Sequence, residues 1–195
     1  MRNRKLKVAV GVGAVALIAG GVAGIAGIAG ADPTNKSVEF VDGFGNINDD
    51  WNDHEREADV LCEDCDNSSG TDLVVLWQSV LVADGYLASV ADIDGEFGAD
   101  TAEATAEWQG DNELDPTGEV DQATWATADD FLEPGDDGAT VSYVGTDEGS
   151  VLFTRTDDLD GAYALQSVTN GDGEEVQPES QDDRIWLFDS TISFE

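Results

Sequence analysis

The sequence predicts an α+β fold, three short helices followed by a small antiparallel sheet, and three observations carry that prediction. Between Thr71 and Leu132 apolar residues recur at spacings of three and four, the period of helices with one buried face. From Ala139 onward the period falls to two, and the apolar segments are separated by turn-rich stretches such as "TNGDGEE". Finally, "DGEFGADT" at 94–101 returns in altered form as "TGEVDQAT" at 117–124. Gly95, Glu96, Phe97 and Thr101 are matched by Gly118, Glu119, Val120 and Thr124 at one constant offset, so a single local folding device is used twice.

The elements follow in order. The chain opens with "MRNRKLK", a basic stretch, then a glycine-rich apolar run to Gly30 and a small-residue site with Ala29 and Ala31, the pattern of an export signal over 1–31. The competing reading is an uncleaved membrane helix, which the glycines disfavour by lowering hydrophobicity and helicity. Cleavage after Ala31 leaves four basic residues, Lys36, Arg56, Arg155 and Arg184, against 43 acids, a net charge of −39 compared with −35 for the whole chain. Such a surface excludes nucleic acid as a partner, because phosphate contacts need clustered Lys and Arg. It is self-repelling, and salt or divalent cations are expected to steady it. The carboxyl end, "DSTISFE", has no hydrophobic or basic sorting tail, so the expectation is a secreted protein, extracellular or wall-associated, with no membrane contact after signal removal.

Residues 32–70 hold few periodic apolar positions and read as an irregular N-terminal arm, anchored by Val38, Phe40, Phe44, Trp51, Val60 and Leu61. Within it, Cys62 and Cys65 enclose only two residues, and in an exported protein the leading reading is a local disulfide worth about 2 kcal/mol. A metal site is disfavoured because His54 is the one histidine, and redox catalysis because the flanking acids raise a thiol pKa.

Helical signals fill 71–133. The first helix starts at a capping Thr71 or Asp72, places Leu73, Leu76, Trp77, Val80 and Leu81 on one stripe, and stops at Gly85. A second starts at Thr101 with Ala104, Thr105 and Trp108 inward and ends at Gly110. A third begins at Asp121 or Gln122, with Trp125, Ala128, Phe131 and Leu132 on its apolar side. In each repeat copy the glycine permits a positive φ, the apolar residue two places on enters the core, and the threonine is expected to cap the next helix. Over 139–195 five strands are expected: "ATVSYVG", "SVLFTR", "GAYALQSV", "DRIWLF" and "STISF". This sheet is small and is expected to pack on the helices or on the arm.

The helical segment resembles the peptidoglycan-binding-like domain of bacterial wall hydrolases and exported wall proteins. That family shows Leu-Gln, an apolar run and Gly-Tyr, then Asp-Gly-x-Phe-Gly-x-x-Thr, an Ala-rich helix ending in Phe-Gln, a second such turn and a Trp. The matching stretches here are "LWQSVLVADGY", "IDGEFGADTAEATAEWQ" with Gly95, Phe97, Gly98 and Thr101, and "GEVDQATW" with Gly118, Thr124 and Trp125. Trp77 and Trp108 stand where the family has Leu and Phe, and Thr117 and Asp121 replace an Asp and a Gly of the second turn. The resemblance implies a three-helix wall-binding module, often attached to a catalytic partner domain.

Catalysis is read as absent, and no catalytic residue, metal or cofactor is expected. Zinc hydrolysis needs several His or Cys ligands, a transpeptidase needs a Cys activated by His, and carboxylate pairs carry no information among 43 acids. The acidic stretch around Asp92, Asp94 and Gly95 fails as a calcium loop, because Val90 and Thr101 occupy the places where acids are required. Binding needs less, and Tyr86, Asp94, Gln109 and Asn112 lie near helix ends and turns where a groove would open. Trp77, Phe97, Trp108 and Trp125 read as core, while Gln78 and Gln109 suit either a buried turn backbone or a ligand. The expected function is non-catalytic binding of peptidoglycan or a related wall glycopeptide. The alternative is an extracellular protein–protein interaction protein that uses the helices as scaffold.

Overall fold

A computed structural model describes residues 39–43, 47, 50–51, 60–155, 161–180 and 184–194. The expected signal, the anchors Val38 and Phe44, and Lys36, His54 and Arg56 lie outside the described residues. Among the described residues the fold is α+β: three α-helices are followed by a five-stranded antiparallel sheet.

Helix α1 spans Asp72–Ala83, α2 spans Ala99–Asp111 and α3 spans Gln122–Asp129, with one 3-10 turn at Val90–Asp92 between α1 and α2. Thr71 is the N-cap of α1, its hydroxyl accepting from the Val74 N–H at 3.4 Å. Every residue of α1 is buried, so the expected single stripe is corrected: "DLVVLWQSVLVA" is apolar on all sides, and the strands Ser150–Arg155 and Tyr163–Thr169 cover what the other helices leave bare. Thr101 and Thr124 are not caps. Gly98 and Asp121, in extended conformation, hold those positions, and each threonine sits one turn inside its helix with its hydroxyl buried.

The sheet runs β1 (Leu132–Pro134), β2 (Thr140–Val144), β3 (Ser150–Arg155), β4 (Tyr163–Thr169) and β5 (Glu175–Val176), paired in that order. Three of the expected strands are present as β2, β3 and β4. The other two differ: among the described residues "DRIWLF" and "STISF" make only single bridges, Phe40 with Trp186, Ala164 with Arg184 and Pro178 with Phe194. Their places in the sheet go to β1, whose Leu132 leaves α3 to pair with Tyr143, and to the short β5. Alternation alone does not distinguish a strand from an extended tail lying across a core.

Helices and sheet share one hydrophobic core. The arm contributes to its centre, since Trp51 is 3% exposed, stacks on Tyr143 at 6.0 Å and meets Trp125, Phe153 and Tyr163 edge-on. Phe40 and Leu61 are also buried, and Val60 is half-buried. Beside Trp51, the buried Asp50 accepts from Arg155 and from the Tyr163 phenol. Burial first, and then the Asp50 charge, push the Tyr163 phenol well above its ordinary range.

Two buried carboxylates fix the ends of α1. Asp72 accepts from the backbone N–H groups of Trp186, Thr191 and Ile192 and from the Thr191 hydroxyl, tying the helix start to the C-terminal segment. Asp84 accepts from the Trp108 indole at 2.6 Å, the Tyr143 hydroxyl at 2.7 Å, and the Thr146 N–H and hydroxyl, tying the helix end to both α2 and the sheet. A carboxylate so far from water is tolerated because each oxygen meets several donors.

Candidate functional site

The repeat folds into two equivalent turns, each held by a buried glutamine. Gly95 and Gly118 have φ of 76° and 75°, the left-handed region that a side chain disfavours. In the first turn the Gln78 carbonyl accepts from the N–H groups of Gly95 (2.8 Å) and Asp94 (3.1 Å). Its amide donates to Asp94 Oδ1 (2.8 Å), the Glu96 carbonyl (3.1 Å) and Thr101 Oγ1 (3.2 Å). The second turn repeats this arrangement one helix later. The Gln109 carbonyl accepts from the Gly118 N–H (2.9 Å), and its amide donates to the Glu119 carbonyl (2.6 Å) and Thr124 Oγ1 (2.9 Å). A tight turn leaves peptide groups facing inward, and one glutamine supplies the donor and the acceptor that satisfy them.

The tryptophans take the core role expected of them. Trp77 touches Trp108 at 5.2 Å and Trp125 at 5.4 Å between ring centroids, and its indole donates to Thr105 Oγ1 at 2.8 Å. Phe97 and Val120, the matched apolar positions, are both buried.

The four residues expected at a ligand groove do not meet. Tyr86 is half-buried at the C-terminal end of α2, its hydroxyl donating to Asp111 at 2.8 Å. Asn112 lies at the same end, donating to the Trp108 carbonyl and closing the helix. Asp94 is exposed at the opposite end, joined through Gln78 to Thr101. From Thr101 to Asn112 the helix rises about 16 Å. Gln109 is buried, with both ends of its amide engaged by the second turn.

Sequence reasoning missed Asp84, and it read Asp72 only as a possible cap and not as the tie to the C-terminal segment. Among 43 acids nothing separates them except position, for each flanks a helix of otherwise apolar character. Residues 71–127 contain no Lys, Arg or His, so this surface offers no cationic group to a ligand. Among the described residues no group of three or more His, Cys, Asp or Glu side chains is placed to hold a metal ion. No helix there is long and apolar enough to cross a membrane.

A rigid helical module with two glutamine-clamped turns, and no cation on its surface, is therefore the class of site that the fold presents. Residues 71–127 match the family model described as a putative peptidoglycan binding domain, which covers both turns and all three tryptophans of the helical core. No curated protein and no solved structure matches the chain.

Proposed function

We propose that this is a secreted, non-catalytic protein that binds peptidoglycan or a related wall glycopeptide through residues 71–132. The observation that carries the proposal is the family match at 71–127, laid over two turns whose geometry the glutamines fix. With no basic side chain in the module, contact with the ligand rests on hydrogen bonds, on the Tyr86 ring, and on whatever ammonium groups the ligand brings. Tyr86 and Asn112 are the favoured contact point because they share one end of α2, and Asp94 belongs to a separate surface.

Pull-down on purified sacculi, using protein without residues 1–31, tests this reading. Retention is expected to rise with ionic strength, because screening removes the repulsion between a surface of net charge −39 and anionic wall carboxylates. No retention at any salt concentration overturns it.

A second reading is supported by Phe188, a large apolar side chain 53% exposed in the C-terminal segment. On that reading the helices serve as scaffold and the partner is another extracellular protein. Cross-linking in the native secretome separates the two: a recovered protein partner with no muropeptide-induced shift at Tyr86 selects the second.

A further inference from the structure

We infer that residues 61–70 form a redox-latched strap, anchored on the second turn and closed over the backbone edge of the first. At the anchored end Leu61 is fully buried and pairs with Val120, each N–H donating to the other's carbonyl at 3.2 and 2.9 Å. At the closing end the Phe97 N–H donates to the Ser68 carbonyl and the Gly70 N–H to the Gly95 carbonyl, both at 2.8 Å. The Ser69 hydroxyl also meets the Glu96 carboxylate. Phe97 and Val120 are matched positions of the repeat, so one segment occupies the same edge on both turns.

The Cys62–Cys65 disulfide lies between the two ends. It closes a loop already coiled by Cys65 N–H to Cys62 carbonyl and Ser68 N–H to Cys65 carbonyl bonds, while the Ser68 hydroxyl accepts from the Cys62 N–H at 2.9 Å. Glu63, Asp64 and Asp66 beside it are exposed, and the buried Asn67 and Ser68 of the closing end are polar, so that end has little apolar burial of its own. Its closure depends on the covalent link limiting how far the open strap can spread. The anchor depends on Leu61.

Opening requires a dithiol. Its thiolate attacks one cysteine sulfur, the S–S bond breaks, and the second thiol resolves the mixed disulfide. Two electrons pass to the protein, leaving two cysteine thiols and an oxidised, cyclised reductant. The first turn's edge, with the Gly95 carbonyl and the Phe97 N–H, then faces solvent.

Amide hydrogen exchange on the full chain, with and without dithiothreitol, tests the strap. Reduction is expected to speed exchange at Gly70 and Phe97 about twentyfold, the loop-closure entropy of so small a ring. Val120 and the β3–β4 ladder amides are expected to stay unchanged. A Cys62→Ser, Cys65→Ser double variant measured without reductant is expected to give the same two-amide pattern. No change at Gly70 and Phe97 overturns the inference, as does an equal rise at every amide, which marks a global staple. A double variant whose pattern differs from that of the reduced protein also overturns it.

Discussion

The first and second turns of the repeat reach one backbone geometry by different side chains. Both have a left-handed glycine, a glutamine clamp and a buried threonine one helical turn on. The opening position differs, Asp94 against Thr117, yet each side-chain oxygen accepts from the N–H two residues later, at 2.9 and 3.2 Å. At the helix N-cap, Gly98 in the first turn makes no side-chain bond, whereas Asp121 in the second accepts from the Thr124 N–H and hydroxyl. The glycine and the glutamine are therefore the requirement. The opening position makes one local hydrogen bond in both turns through different residues, and the capping position makes one only in the second.

Removing the clamps is expected to have the largest effect and to separate the turns. Gln78→Ala unpairs donors and acceptors on the wholly buried α1 and is expected to cost about 3 kcal/mol, whereas Gln109→Ala, on the partly exposed α2, is expected to cost about 2 kcal/mol. Urea denaturation midpoints measure both, and equal losses would mean that α1 burial is irrelevant. A methyl group on the glycines sharpens the contrast in the other direction. A Cβ at Gly118 would lie 2.9 Å from the Ala102 carbonyl oxygen, whereas at Gly95 the nearest atom is a Val75 methyl at 3.5 Å. Gly118→Ala is expected to lose about 3 kcal/mol and Gly95→Ala about 1 kcal/mol, the latter being the left-handed cost alone.

The caps give the two smaller effects. Asp121→Ala is expected to lower stability by about 1 kcal/mol through the loss of its bond to the α3 backbone, read as a fall in melting temperature. Gly98→Asp should do the reverse by about 0.5 kcal/mol, since nothing lies within 4 Å of a Cβ there and the backbone is already extended. If Gly98→Asp destabilises, the two caps are not equivalent positions.

Much of this was legible because the signals are local. Glycine at a reversal, the three- and four-residue spacing of Trp77, Val80 and Leu81, and the order of motif residues all act within one or two turns of chain. The roles of Gln78 and Gln109 were half legible: their place after an aromatic residue in each helix pointed to a shared task, but only the folded turn shows that the task is internal. What stayed hidden depends on distant partners. Asp84 acquires its meaning from Tyr143 and Thr146, and Asp72 from Thr191 and Ile192. Leu132 reads as the end of α3 until Tyr143 offers it a strand partner. Thr101 and Thr124 read as caps because Thr is a good cap by type, whereas the buried glutamine amide gives each hydroxyl a stronger reason to lie one turn further in.

The carboxylates at either end of α1 bear on anyone who would borrow the helical segment as a fusion tag. Trimming the gene at the last helix would strand Asp72 without its donors, leave Asp84 with the Trp108 indole alone, and bare a flank of aliphatic side chains to its neighbours. A usable graft would have to carry the strands along, or replace both acids and the uncovered flank together.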